Sequence, residues 1–139
     1  MRRAESYLLT ALALSLSGPG CDRSATVVKP NVPPKAQFNF NPVAPIYAGQ
    51  TSVLFNATGS FDSDGQVAKY LWNFGDDNTT SQQDLGPNPR HVFTDTPATC
   101  VLKVYSVLLT VVDNAGGQDS VSQNVTVTEL PAPGSPGCK

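Results

Sequence analysis

Three aromatic residues, Tyr70, Trp72 and Phe74, alternate with Lys69, Leu71 and Asn73. A period of two sets the three rings on one face of an extended strand. Trp72 is the only tryptophan of the chain. A ring of that size on a strand needs a second layer to cover it, so this strand should anchor a two-sheet core. An acidic turn that ends in glycine, Ser60-Phe61-Asp62-Ser63-Asp64-Gly65, feeds the strand, and Gly75, Asp76 and Asp77 stop it.

The rest of the chain supplies partners of the same kind. Ala36, Phe38 and Phe40 alternate inward until Asn41-Pro42 breaks the strand. A short segment follows at 46–48, and Val53, Phe55 and Ala57 alternate again. Residues 76–88 are polar and should hold a loop with weak edge strands, at positions the pattern does not assign. Residues 90–93 form a short strand. The longest apolar stretch is 101–113, with Tyr105, Val107, Leu109 and Val111 toward the core. Leu102, Leu108 and Val112 fall on its other face, which is unusually apolar for a surface. Val121, Val125 and Val127 mark a last strand, with Gln123 out of pattern. The fold class is all-β, a sandwich of about seven strands.

The motifs can be matched as well as counted. Asp62-Ser63-Asp64-Gly65 followed by Tyr70-Leu71-Trp72-Asn73-Phe74-Gly75-Asp76 resembles the S-x-D-x-D-G…Y-x-W-x-F-G-D-G core of PKD (polycystic-kidney-disease-type) domains. Asn73 stands where that motif has Asp, and Asp77 where it has Gly. Tyr105-Ser106-Val107-Leu108-Leu109-Thr110-Val111-Val112-Asp113 resembles the family's Y-x-V-x-L-x-V-x-D, and Asn114-Ala115-Gly116-Gly117 its following turn. The resemblance covers residues 34–128. It implies an immunoglobulin-like β-sandwich of an extracellular or cell-surface protein. It also implies a structural, hydrogen-bonding role for His91, the only histidine.

Composition fits an exported module. The 139 residues are 14% charged with 12 Pro and 11 Gly, and suggest one domain. A net charge of -2 gives no basic surface for nucleic acid. Arg2 and Arg3 precede an apolar run at 7–16 that is too short to span a bilayer, and small residues follow. The expected organisation is a signal peptide at 1–20, a flexible tether at 21–33, the PKD domain at 34–129 and a flexible tail at 130–139. Two cuts fit, one after Ser17 and one before Cys21. The segment 16–21 resembles a bacterial lipobox at Gly20-Cys21 and departs from it at Gly18 and Pro19.

Three cysteines, Cys21, Cys100 and Cys138, leave an odd thiol unless one is used otherwise. Lipidation of Cys21 would leave an even pair. Cys100 precedes the longest strand and Cys138 follows the last one, so a Cys100–Cys138 disulfide is expected in an oxidising compartment. Pairing between chains through Cys138 is the alternative.

Catalytic chemistry has little to build on. One histidine, with no Ser-His-Asp spacing and no Cys-His pair, does not make a nucleophilic site. Adjacent Asp76 and Asp77 on a turn point apart and read as turn residues in solvent rather than a glycosidase pair. Phe61, an apolar residue in the acidic loop, reads as packed onto its own loop, with a contact for a sugar or protein as the alternative. Asn56, Asn78 and Asn124 open N-glycosylation patterns, accidental ones if the host is bacterial.

The loop carboxylates are the constellation that remains. The strand-A side, the acidic turn and the turn after the longest strand share one end of such a sandwich, so Asn31, Asp62, Asp64 and Asp113 should converge. Asn31-Val32-Pro33-Pro34-Lys35-Ala36 resembles the N-x-x-P-K-A segment that opens PKD modules of secreted bacterial collagenases. Those modules hold calcium, and the resemblance carries its ligands onto Asn31, Asp62, Asp64 and Asp113. Hard oxygen donors from several loops suit that ion. No other cofactor is expected.

The expected protein is a non-catalytic, monomeric module of the cell envelope, exported and held to the membrane only by a lipid anchor. It would contact a protein or polysaccharide at the cell surface, or act as a spacer. The alternative is a freely secreted accessory module that binds a polysaccharide or protein substrate for separate enzymes.

Overall fold

The structure, a computed structural model, describes residues 28–76, 82–94 and 102–128. The expected signal peptide, Cys21, the Cys100–Cys138 pair and the expected tail from residue 130 lie outside the described residues. Seven strands appear among the described ones: β1 (Asn39–Asn41), β2 (Val53–Asn56), β3 (Val67–Asn73), β4 (Gln83–Asp84), β5 (Arg90–His91), β6 (Lys103–Asp113) and β7 (Gln118–Val127). They form two antiparallel sheets, ordered β1-β2-β5 and β4-β3-β6-β7. The all-β sandwich read from the alternation is the fold.

The inward positions are those of the period-two pattern. Val53, Phe55 and Ala57 from one sheet meet Trp72, Val107, Leu109, Val111 and Val125 from the other, all buried. Trp72 is 1% exposed. Its ring meets Phe38 edge-on at 5.2 Å, tilts against Phe55 at 5.5 Å and stacks on Phe74 at 6.0 Å. Its indole N–H donates to the Gly86 carbonyl at 2.9 Å, so burial leaves no stranded donor.

Several local expectations change. The first strand lies at 39–41 rather than 36–40, because the backbone before it bonds elsewhere. Lys35 pairs with Phe61 in an isolated antiparallel bridge, Ala36 N–H donates to Asp119 Oδ2, and Gln37 N–H donates to Ser60 Oγ. Phe38 is nonetheless buried, with Ala36 and Phe40 packed against the core. The Phe38 carbonyl accepts from the Gln123 side chain, which explains the polar residue on the inner face of β7. Residues 46–48 bury Ile46 and Ala48 and bridge in parallel to Thr128 at the end of β7.

Phe61 is 52% exposed and does not pack onto its loop. Its backbone pairing with Lys35 and the inward, hydrogen-bonded Ser60 force the next side chain outward. On the outer face of β6, Leu108 and Val112 are half-buried and Leu102 is exposed. Gln82 reaches across this face to donate to Thr110 Oγ1 at 3.1 Å, and Thr110 also bonds Ser120.

Candidate functional site

The turn at 60–65 enters β3, and the turn at 114–117 joins β6 to β7, so both lie at one end of the four-stranded sheet. Residues 29–36 run along the same end. The Asn31 amide nitrogen donates to Asp113 Oδ2 at 2.7 Å. Val32 N–H faces both oxygens of Asp64 at 3.2 and 3.3 Å. Lys29 lies 3.4 Å from Asp64 Oδ2, an ion pair that solvent at the exposed lysine makes weak. Asn31 is thus joined to Asp113 and the Val32 N–H to Asp64 at this end, with Asp62 in the same turn as Asp64.

Most of their oxygens are already engaged. Asp113 Oδ1 accepts from Ala115 N–H at 2.7 Å and Gly117 N–H at 2.8 Å, closing the turn. Asp62 Oδ1 accepts from Asp64 N–H, while Asp62 Oδ2 is buried without a hydrogen-bond partner among the described residues. Asp62 Oδ2 and Asn114 Oδ1 both press on Gly65, where any side chain would collide with them. Asn114 Oδ1 also accepts from Gln66 N–H, tying the two turns together. No group of three or more His, Cys, Asp or Glu side chains among the described residues is gathered closely enough to hold a metal by itself.

Asn114, Asp119 and Lys29 also belong to this end, and sequence reasoning does not single them out. Asn114 follows the strand-ending Asp113, the usual place for an Asx residue that bonds backbone, so a readable signal exists for it. Asp119 has none: its partners, Ala36 N–H at 3.0 Å and Lys35 at 3.9 Å, lie more than eighty positions away.

These bonds shift two carboxyls. The Asn31 amide above all, then the N–H groups of Ala115 and Gly117, hold Asp113 below its ordinary value against the opposing effect of burial. The Ala36 N–H, and less so the Lys35 charge, do the same for Asp119. A lowered folded value means that the stability is complete above the unfolded value, about pH 4, and is lost as pH falls through the lower folded value. The melting temperature should be level from pH 7 to pH 5 and fall below pH 4. Asn31→Ala should be less stable at neutral pH and show a shallower fall. An Asn31→Ala curve parallel to wild type throughout would show that this bond does not hold the Asp113 carboxyl.

A second group of polar residues sits at the other end of β3. His91 Nε2 lies 2.7 Å from Asp76 Oδ2, and the imidazole stacks on Phe74 with centroids 3.9 Å apart and planes 8° apart. Asp76 is thus a half-buried partner of His91 and not a solvated turn residue, while Asp77 lies outside the described residues. The histidine joins β5 to the end of β3, the structural part the family resemblance implies for it.

The comparisons agree with this architecture. A family model described as PKD domain matches residues 31–128. Collagenase ColA of Bacillus cereus is 34% identical over 79 residues, 57% of this chain but only 7% of the collagenase. A structure described as the basis for promiscuous specificity of carbohydrate-binding modules from the β-sandwich superfamily is 33% identical, with a TM-score of 0.60. That match covers 73% of this chain and 36% of the other. The PKD1 domain of Vibrio anguillarum Epp is 26% identical with a TM-score of 0.53, covering 73% of this chain and all of that one. With the sandwich, the aromatic strand and the acidic turn matched across 31–128, the chain belongs to the PKD domain family.

Proposed function

We propose that this chain is a non-catalytic binding module of an exported protein, held to a membrane through lipid on Cys21, that contacts an extracellular polysaccharide or protein. The observation that carries the reading is the PKD match across the whole described sandwich, in a family whose members accompany much larger proteins such as a collagenase. The likeness to carbohydrate-binding modules supports polysaccharide as one class of target. The His91–Asp76 pair fits a scaffold better than a proton-transfer site, since both partners are committed to each other.

Calcium belongs to the same reading. Asn31, Asp62, Asp64 and Asp113 offer the hard oxygens the ion takes, and the buried, unpartnered Asp62 Oδ2 is the atom that would gain most from a cation. The ion would fasten residues 29–36 to the two turns and have no chemical step to perform. The Asn31 side chain would have to turn its oxygen inward.

The test uses the mature chain on insoluble cellulose, chitin and collagen, with millimolar calcium or with chelator. Retention on at least one polymer is expected, stronger with calcium. Retention on none would sink the binding reading. In the host, wild type should fractionate with membranes and Cys21→Ser should be released, because Cys21 would carry all the acyl chains, which together exceed the marginal hold of a single one. A soluble wild type would favour the freely secreted alternative.

A further inference from the structure

We propose that the pocket between β3, β4 and β5 is a saccharide subsite that takes one pyranose ring of an extracellular glycan. This rests on the reading of the chain as a polymer-contacting module, and assigns it a contact point. The pocket has a volume of about 160 Å³. That is room for roughly five water molecules, the scale of one sugar ring and not of a drug-sized ligand.

Its position follows from the sheets. β4 and β5 are two-residue edge strands, one on each sheet, and neither is long enough to close the sandwich beside β3. Trp72 forms the buried floor. The stacked Phe74 and His91 rings form part of the wall, and Asp76, Gln83 and Arg90 supply polar groups around it.

The chemistry of that lining selects the ligand. A pyranose presents a face of C–H bonds, which the apolar wall formed by Phe74, His91 and Leu85 can cover. Its edge presents hydroxyls that both donate and accept. Among the described residues Asp76 is held only by His91, through Oδ2, so Oδ1 is the oxygen left to accept from a hydroxyl. The Arg90 guanidinium and the Gln83 amide have no side-chain hydrogen bond among the described residues and can donate to one. An apolar peptide side chain would fill the same space and leave these polar groups unpaired, which costs binding. A saccharide satisfies both halves of the lining. One ring in one small pocket binds weakly, with Kd in the millimolar range, and gains strength only when several modules meet one polymer.

Because Trp72 is the only tryptophan and lines this pocket, its fluorescence is a single-site readout there. The mature chain is titrated with methyl glucoside, methyl N-acetylglucosaminide and methyl glucuronide, and followed by fluorescence and by the ¹⁵N shifts of the Trp72 indole and the residues of β5. At least one glycoside should give a saturable change. Arg90→Ala and Gln83→Ala, both at exposed positions, should each weaken it about 10-fold, the loss of one hydrogen bond to a charged or buried-site partner. Their melting temperatures should match wild type. Ser122→Ala, at an exposed position of β7 on the far edge of the four-stranded sheet, should bind as wild type. Silence in both readouts for all three glycosides overturns the proposal, as does unchanged binding in both pocket variants. If the chain is retained on a polysaccharide while the glycosides stay silent, the module reading stands and this subsite falls. If Arg90→Ala instead abolishes retention on collagen with no glycoside response, the pocket takes peptide and the saccharide proposal is wrong.

Discussion

Trp72→Ala should lower the unfolding free energy by about 3–5 kcal/mol, the largest loss available from one side chain in this core. The ring is the point where the two sheets meet, touching Phe38, Phe55 and Phe74. Removing it opens a void that β3 cannot close, since its backbone is paired on both sides, with β4 and β6. It also strands the Gly86 carbonyl that accepts the indole N–H. Trp72→Phe keeps part of the volume and loses the donor, so its cost should be smaller, about 1–3 kcal/mol. Urea unfolding at unchanged m-value measures both. A loss below about 1 kcal/mol for the alanine variant would mean that the core is not organised around this ring.

The second large effect lies just beyond the same strand. Gly75 has φ of +75°, and a Cβ there would sit 2.8 Å from the Ser106 carbonyl oxygen. Gly75→Ala should cost about 2–4 kcal/mol, from left-handed backbone strain and from pushing β6 away. Gly86 is the control. Its φ is +72°, but a Cβ there would meet no atom within 4 Å, so Gly86→Ala should carry only the backbone cost, about 1–2 kcal/mol. Equal losses at the two sites would remove the close approach of Ser106 as a cause.

Period two makes the sheets readable. Val53, Phe55, Trp72, Val107, Leu109 and Val111 all fall inward by alternation, and each is buried. Gln83–Asp84 escapes the pattern, because a two-residue edge strand has no period to see. Asp76 reads as solvated in the sequence because its partner, His91, belongs to the opposite sheet, and such a contact exists only after the sheets stack. The convergence of Asn31 with Asp113 spans 82 positions and is legible through family resemblance, not through any local pattern. Phe61 shows the same limit: its exposure follows from a backbone bridge to Lys35 that no composition rule anticipates.

The bonds of Asn31, Val32 and Ala36 fix the incoming chain at the turn end of the sandwich, whereas Thr128 closes β7 beside Tyr47 at the other. Arrival and departure are therefore in line and not side by side. The longest strand, β6, has 11 residues, and at about 3.3 Å per residue it spans roughly 35 Å. Inserted in a longer polypeptide, the module would act as a rigid rung of that length, carrying whatever follows it outward and not doubling the path back.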